Sequence, residues 1–193
     1  MLWFTMILHK AFFRARERVH SLIIAPLLKV YWSFQGAKFG KGTSVPTQLR
    51  MTWPHQVIIG ENCTLEAGIF FKFDGIWSPG PSINIGRNVF IGSNCEFNIR
   101  KNILIGNDCL IASGCKFIDH DHGIESGLLM RMQAGCEAPI VLKENVWLGV
   151  NVAVLKGVTI GEGSVVGSNA VCTKSIPPRE IWAGVPAKKI GQR

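Results

Sequence analysis

Residues 142–177 read LKENVWLGVNVAVLKGVTIGEGSVVGSNAVCTKSIP and divide into six groups of six. The fifth residue of each group is small or β-branched. The first residue of each group is apolar: Leu142, Leu148, Val154, Ile160, Val166 and Cys172. A period of six fits neither an amphipathic helix nor a half-buried strand. It is typical of a parallel β-helix built from hexapeptide repeats.

The same frame occurs earlier in the chain, as IGENCT at 59–64, IGRNVFIGSNCE at 85–96 and IGNDCLIASGCK at 105–116. Three six-residue strands close a triangular coil of about eighteen residues, and the coils stack by parallel strand pairing. Positions one and five are predicted to point into the prism. Glycine at position two is predicted to permit backbone torsions that a side chain disfavours. The pattern therefore predicts an all-β, parallel β-helix domain over residues 36–176.

Residues 1–35 have a different composition, in which apolar blocks flank a basic block at residues 14–18. Neither apolar block reaches the ~20 residues that a membrane-spanning helix needs. One or two helices, broken before Pro26, fit better. They either pack on the protein body or a sister subunit, or attach to an anionic membrane surface. The side chains available for attachment are Trp3, Phe4, Phe12, Phe13, Arg14, Arg16 and Arg18.

The hexapeptide frame is interrupted at a Pro/Gly-rich stretch, residues 72–84, and again at residues 118–139. The second interruption is predicted to be a loop that projects from the coils. It begins with the sequence DHDH, residues 119–122, which holds two of the five histidines of the chain. Long loops on a rigid scaffold usually carry function. The last residues, 177–193, are predicted to form a basic tail.

Five of the six cysteines occupy inward-facing positions of the frame, which predicts small, buried, unpaired thiols. These are Cys63, Cys95, Cys109, Cys115 and Cys172, and Cys136 lies outside the frame. No CxxC pair is present, so the spacing argues against a disulfide framework or a zinc site. The formal net charge of +8 favours an anionic partner. No basic-aromatic platform for nucleic acid is visible.

Residues 145–190, NVWLGVNVAVLKGVTIGEGSVVGSNAVCTKSIPPREIWAGVPAKKI, resemble the C-terminal signature of the hexapeptide acyltransferases. These are left-handed β-helix enzymes that move an acetyl group from acetyl-CoA to a hydroxyl or an amine. The DHDHG stretch resembles the branch that O-acetylates sugars of cell-surface polysaccharides and lipopolysaccharide. The helical N-terminal signature of the maltose and galactoside acetyltransferases is missing. Over residues 39–190 the resemblance implies a left-handed coil, an acetyl-CoA donor, no metal, and a homotrimer with active sites between subunits.

The resemblance also implies a catalytic histidine on the projecting loop. By ungapped count from Phe117, His122 falls on the family's catalytic position, and His120 takes a supporting or acceptor-binding role. A sugar hydroxyl needs a positioned base, and the pKa of histidine suits that task at neutral pH. A neighbouring carboxylate, such as Asp119, can hold an imidazole in the required tautomer.

Donor-site residues follow from the same resemblance. The pantetheine arm is expected along one groove and the adenosine phosphates near the basic C-terminus. Val150 departs from the small polar residue that the family usually has there. The residues carried over are Trp147, Gly149, Val150, Gly167, Ser168, Thr173, Lys174, Lys188 and Lys189.

The sequence thus predicts an acetyl-CoA-dependent O-acetyltransferase that modifies a cell-surface glycan or its lipid-linked precursor, in the cytoplasm or on the inner face of the cytoplasmic membrane. Three alternatives stay open: an amino-sugar N-acetyltransferase, a γ-type carbonic anhydrase and a non-catalytic scaffold. The anhydrase would need three histidines converging on a metal, whereas His120 and His122 share one loop and His55 lies far upstream.

Overall fold

The computed structural model describes residues 2–193, except for seven side chains of the first helix. Those side chains are Leu2, Trp3, Phe4, Thr5, Ile7, Leu8 and Glu17. The membrane contacts expected of Trp3 and Phe4 therefore lie outside the described residues.

Three mainly parallel sheets form the faces of a triangular prism, and the chain visits them in turn. The first face contains Lys38–Phe39, Val57–Ile59, Ile83–Ile85, Ile103–Ile105, Ile140–Leu142 and Thr159–Ile160. The second contains Thr64–Leu65, Phe90–Ile91, Leu110–Ile111, Trp147–Leu148, Val165–Val166, Glu180–Ala183 and Lys188–Gln192. The third contains Arg50–Met51, Phe70–Phe73, Glu96–Ile99, Lys116–Ile118, Ala153–Leu155 and Val171–Cys172.

Each strand pairs in register with its equivalents in the coils before and after it. Phe117, for example, lies between Phe97 and Val154 on the third face. We call the connection from the second to the third face the second corner, and that from the third to the first face the third corner. The third corner carries every long insertion of the β-helix, including residues 74–82 and 119–139.

The interior of the prism is apolar, and the predicted inward positions are confirmed. The six position-one residues of segment 142–177 are at most 1% exposed, and the six position-five residues at most 2%. Phe71, Phe97 and Phe117 stack on the third face, with ring centroids 4.8 and 4.6 Å apart. Such aromatic contacts stabilise the folded protein beyond the contribution of burying the rings. The five framed cysteines are buried and unpaired, as predicted, while Cys136 is exposed.

The reason predicted for glycine at position two is wrong. Gly60 has no positive φ, but a Cβ built on it would lie 2.5 Å from the carbonyl oxygen of Gly86 in the next coil. Position two is thus glycine because consecutive coils approach too closely for a side chain. The left-handed backbone falls at position four, where Asn62 and Asn88 have φ of 54° and 56°. Asparagine tolerates that region better than most residues.

The N-terminal segment is helical from residue 2 to residue 34. An α-helix, Leu2–Val19, passes through a π-helical turn, His20–Ile24, into a second α-helix, Ala25–Phe34. The break expected before Pro26 is this π-helical turn, and Pro26 occupies the first turn of the second helix, where its missing N–H is tolerated. Among the described residues, no helix is long and apolar enough to cross a membrane.

Among the described side chains of the helical segment, Leu28 and Trp32 of the second helix pack half-buried against the β-helix core. The ammonium of Lys29 also donates to the carbonyl of Gly40, at 2.6 Å. Many other apolar side chains of the segment face outward. The most exposed are Phe12, Leu22, Leu27, Val30 and Phe34.

The last residues do not form a loose tail. Glu180–Ala183 continues the second face in parallel, and Lys188–Gln192 then pairs with it in antiparallel orientation. Two short 3-10 helices, Pro54–Gln56 and Met130–Met132, lie in insertions of the third corner.

Candidate active site

A short hairpin forms the base of the projecting loop. His120–Asp121 pairs antiparallel with Cys136–Glu137, directly after the last core strand before the loop. Asp119 precedes this hairpin and is 0% exposed. Its two carboxylate oxygens accept backbone N–H groups of Arg100, at 2.7 Å, and Lys101, at 2.8 Å. A buried carboxylate with these partners ties the loop to the preceding coil.

His120 is buried between two carboxylates. Its Nδ1 lies 3.0 Å from Oδ1 of Asp119, and its Nε2 lies 3.8 Å from Oδ2 of Asp74. The side chain is 7% exposed. The predicted histidine–carboxylate pair therefore exists, and it joins Asp119 to His120 rather than to His122.

His122 is exposed and lies two residues further along the same loop. Within residues 2–193 as described, its imidazole has no hydrogen-bond partner. It lines a cavity of about 930 Å³ formed largely by the loop itself. The cavity is also lined by Gln133, Cys136, Lys156 and apolar side chains that include Leu128 and Met132.

Lys156 is a site residue that the sequence reasoning missed. Its ammonium lies 3.1 Å from the carboxylate of Asp121 and 3.0 Å from Sγ of Cys136. These contacts, with Cys136 first, raise the pKa of Lys156 above its ordinary value. Lys156 follows Leu155, which pairs with Ile118 at the start of the loop. The position of Lys156 in the hexapeptide frame could therefore have identified it as a neighbour of the loop, because the loop begins just after Ile118, the residue that pairs with Leu155.

Four predicted donor-site residues meet at the second corner. The backbone N–H of Val150 donates to Oγ of Ser168, at 3.2 Å. A Cβ on Gly149 would lie 2.6 Å from the backbone nitrogen of Ser168. Gly167 approaches Ala183 in the following coil. The structure therefore brings Gly149, Val150, Gly167 and Ser168 together on consecutive coils.

The other donor-site residues are spread over the last coils. Trp147 is 52% exposed on the outer side of the second face, between Leu110 and Val165. Thr173 and Lys174 follow the strand Val171–Cys172 and are exposed at the third corner. They lie one coil beyond Lys156, whose preceding strand pairs with theirs.

The two predicted phosphate-binding lysines differ in their surroundings. The ammonium of Lys189 lies 2.6 Å from Oε1 of Glu180, and Oε2 of the same carboxylate accepts the indole N–H of Trp182. The contact with Lys189, and then that with Trp182, lowers the pKa of Glu180. Lys188 is exposed on the neighbouring position of the last strand. Lys188 is therefore the freer of the two to meet an anion.

No group of three or more His, Cys, Asp or Glu side chains among the described residues could hold a metal ion. Nε2 of His55 lies within hydrogen-bonding distance, 2.8 Å, of the carbonyl oxygen of Ser78, away from the two histidines of the loop. A second large cavity, of about 900 Å³, runs along the outer side of the first face and contains none of the predicted site residues.

Two family models match the repeats. The model "Bacterial transferase hexapeptide (six repeats)" matches residues 139–174, and "Hexapeptide repeat of succinyl-transferase" matches residues 57–70 and 82–115. The galactoside O-acetyltransferase of Escherichia coli (strain K12) is 33% identical over 132 residues, which cover 68% of this chain and 62% of that protein. The aligned regions span 42% to 62% of the length of the first curated relatives that the chain matches.

Two solved structures have the same fold. The N-acyltransferase AntD of Bacillus cereus, in complex with dTDP and 3-hydroxybutyryl-CoA, has a TM-score of 0.73 at 20% identity, covering 83% of this chain and 86% of that one. A hexapeptide-repeat acetyltransferase of Vibrio cholerae O1 biovar eltor, in complex with acetyl-CoA, has a TM-score of 0.63 at 21% identity, covering 93% and 83%. The predicted left-handed parallel β-helix is thus confirmed. With its repeats matched in both halves of the β-helix, the chain belongs to the hexapeptide-repeat transferase family.

Proposed function

We propose that this protein is an acetyltransferase that uses acetyl-CoA to acetylate a hydroxyl of a cell-surface glycan or of its lipid-linked precursor. His122 is the general base, and His120 with Asp119 positions the loop that carries it. The proposal extends to this chain the activity named for its relatives, of which it spans less than two thirds.

The observation that carries the proposal is the contrast between the two loop histidines. His120 has a carboxylate near each ring nitrogen and is almost fully buried, so an acceptor cannot reach it without rearrangement. His122 is exposed in the loop cavity with both nitrogens free of protein partners in the described structure. A general base must come within hydrogen-bond reach of the proton it removes.

Transfer of the acetyl group then needs one residue that carries a proton from the acceptor hydroxyl to the CoA thiolate. The imidazole of His122 takes the hydroxyl proton as the oxygen attacks the thioester carbonyl and forms a C–O bond. The tetrahedral oxyanion collapses, the C–S bond breaks, and the imidazolium returns the proton to the leaving thiolate of CoA. Backbone N–H groups near the bound thioester would stabilise the oxyanion.

The second corner supports the donor part of the proposal. Gly149 and Gly167 pack closely on the next coil, and the cofactor arm would meet only backbone at these two positions. Exposed Lys188 and Lys174 supply positive charge toward the C-terminal end, where the phosphates of CoA would lie. An acyl-CoA is bound in both solved structures named above, 3-hydroxybutyryl-CoA in one and acetyl-CoA in the other.

The active species is proposed to be a homotrimer. The catalytic loop leaves the third corner, whereas Gly149 and Ser168 lie at the second corner of the same chain. A neighbouring subunit that presents its second corner to the loop would complete one site from two chains. The cavity of about 900 Å³ on the outer side of the first face offers further surface for subunit contact.

The protein is further proposed to work in the cytoplasm, at the inner face of the cytoplasmic membrane, where acetyl-CoA is available. The N-terminal segment supports peripheral contact because Phe12 and Leu22 are each 74% exposed. From Met1 to Arg50 the chain has eight Lys or Arg residues and one acidic residue. An exposed apolar, basic helix suits an anionic lipid surface.

An amine acceptor is the second candidate, because His122 could deprotonate an amino sugar in the same way. A mass-spectrometric comparison of surface glycans from cells with and without the protein tests the activity, followed by transfer from isotope-labelled acetyl-CoA by the purified protein. Hydroxylamine releases acetyl esters and leaves acetamides intact, so it separates the two candidates. Absence of transfer, together with absence of acetyl-CoA binding, would favour a non-catalytic scaffold.

A further inference from the structure

The insertion at residues 74–82 exposes large apolar side chains beside the catalytic loop. Ile76 is 91% exposed and Trp77 is 61% exposed. Trp53, from the preceding insertion of the third corner, is 37% exposed. Contiguous exposed apolar surface of this kind usually marks a contact site. We call Trp53, His55, Ile76 and Trp77 the aromatic platform.

The aromatic platform is held in place by half-buried polar contacts. The ring of His55 lies between the two indoles, with centroid distances of 6.0 Å to Trp53 and 5.5 Å to Trp77. Nε2 of His55 and Nε2 of Gln56 each lie 2.8 Å from the carbonyl oxygen of Ser78. The backbone next to Trp77 is therefore held by contacts within the protein, which lowers the entropic cost of binding at this position.

The platform is continuous with the N-terminal helices. Gly36, just beyond the second helix, packs against His55 so closely that a Cβ on it would lie 2.7 Å from that of His55. The preceding Phe34 is 92% exposed and Tyr31 is 57% exposed. Tryptophan and tyrosine favour the boundary between lipid and water. The exposed apolar surface of the helices thus extends onto the β-helix itself.

The charge of this end of the molecule also matches an anionic surface. The first coil carries exposed Lys38, Lys41 and Arg50. The guanidinium of Arg50 lies over the ring of Phe70, 4.0 Å from its centroid. Exposed basic residues on the first coil, at the same end of the molecule as the exposed aromatic residues, suit an anionic bilayer better than a neutral glycan. The exposed apolar side chain of Ile76 also favours a lipid surface.

We propose that the aromatic platform is a second membrane contact, which together with the N-terminal helix holds this end of the β-helix on an anionic lipid surface. The acceptor is then a glycan attached to a lipid in that surface, an inference that rests on the proposed acetyltransferase function. Asp74 begins the platform insertion and lies 3.8 Å from Nε2 of His120. The catalytic loop leaves the stack two coils further on, about 10 Å away at the usual strand spacing.

The test uses the full-length protein and vesicles of phosphatidylcholine with and without phosphatidylglycerol. The variant Ile76→Ser/Trp77→Ser is compared with Val185→Ser/Ile190→Ser, whose side chains are 71% and 68% exposed at the opposite end of the β-helix. The first variant is expected to bind anionic vesicles at least about tenfold more weakly than wild type, and the control to bind equally well. Brominated lipids should quench a fluorescence component that Trp77→Phe lacks.

Equal binding by wild type and both variants, with no Trp77-dependent quenching, overturns the proposal. So does a loss of trimer by light scattering in the first variant, which would assign the platform to a subunit interface. A Trp77-dependent response to soluble oligosaccharide alone would assign it to glycan binding. Transfer of labelled acetyl groups to lipid-linked glycans and to soluble oligosaccharides is measured in parallel. Absence of transfer to either kind of acceptor, with intact Trp77-dependent vesicle binding, refutes the acetyltransferase function and not the contact.

Discussion

Nδ1 of His120 lies 3.0 Å from Oδ1 of Asp119, and both side chains are buried at the base of the projecting loop. The same carboxylate holds the backbone of Arg100 and Lys101. This pair therefore fixes where the loop leaves the coils. His122 lies two residues after His120 and so has a defined position in the loop cavity.

Replacing His122 by Ala should lower turnover by about 10²–10⁴ and leave acetyl-CoA binding nearly unchanged, because the imidazole acts on the acceptor proton. Steady-state kinetics and a binding titration check this. His120→Ala should instead lower thermal stability together with activity. Wild-type turnover in His122→Ala, with none in a folded His120→Ala, would reverse the two roles. Full activity in both variants would show that neither histidine of the loop is the general base.

Asp119→Asn should destabilise the protein by about 1–3 kcal/mol, since an amide nitrogen would then face a backbone N–H. Thermal unfolding at matched protein concentration measures the effect. Asp121→Asn is the control in the same loop: Asp121 is exposed, so loss of its salt bridge with Lys156 should change the stability much less than Asp119→Asn does. Equal losses in the two variants would contradict the anchoring role of Asp119.

Gly60→Ala should cost about 1–3 kcal/mol of stability, because the methyl group meets the backbone of the next coil. Gly191→Ala is a fair comparison, since the nearest atom to its Cβ would be 3.7 Å away. Urea unfolding of both variants, at one protein concentration, gives the difference. If the free energy of unfolding of Gly60→Ala equals that of the wild type, the coils can separate locally to accommodate the methyl group.

One thiol per chain should react quickly with a thiol-specific disulfide reagent in the native protein, and six after unfolding. Cys136 is exposed, whereas burial raises the pKa of Cys109 and of Cys172 to about 11. Cys136→Ser should abolish the fast reaction. Rapid labelling of further thiols without unfolding would show that the prism opens.

Arg14→Gln/Arg18→Gln should weaken binding to anionic vesicles at low salt, by up to about 1 kcal/mol for each residue near the surface. Both side chains are exposed on the first helix. Co-sedimentation at low and high salt measures this. A difference that persists at high salt, or no difference at low salt, would indicate that the helix packs on another subunit.

The hexapeptide period was enough to predict the fold, because each repeat meets only the equivalent residues of its neighbours. Positions one and five, including the framed cysteines, were predicted correctly for that reason. The period could not predict contacts between insertions. Asp74 and His120 are far apart in sequence and meet because their insertions stack on one corner. The cause of the position-two glycines was missed as well, since it lies in the distance between coils.

The antiparallel pairing of Lys188–Gln192 with Glu180–Ala183 has a consequence for aggregation. A stack of parallel coils ends in unpaired strand edges, and such edges invite another molecule to add on and continue the stack into a fibre. A strand that runs the opposite way ends the second face at one end of the stack. The helix Ala25–Phe34 packs on the core through Leu28 and Trp32 at the other end. Solubility of this β-helix thus depends on two short segments outside its repeats.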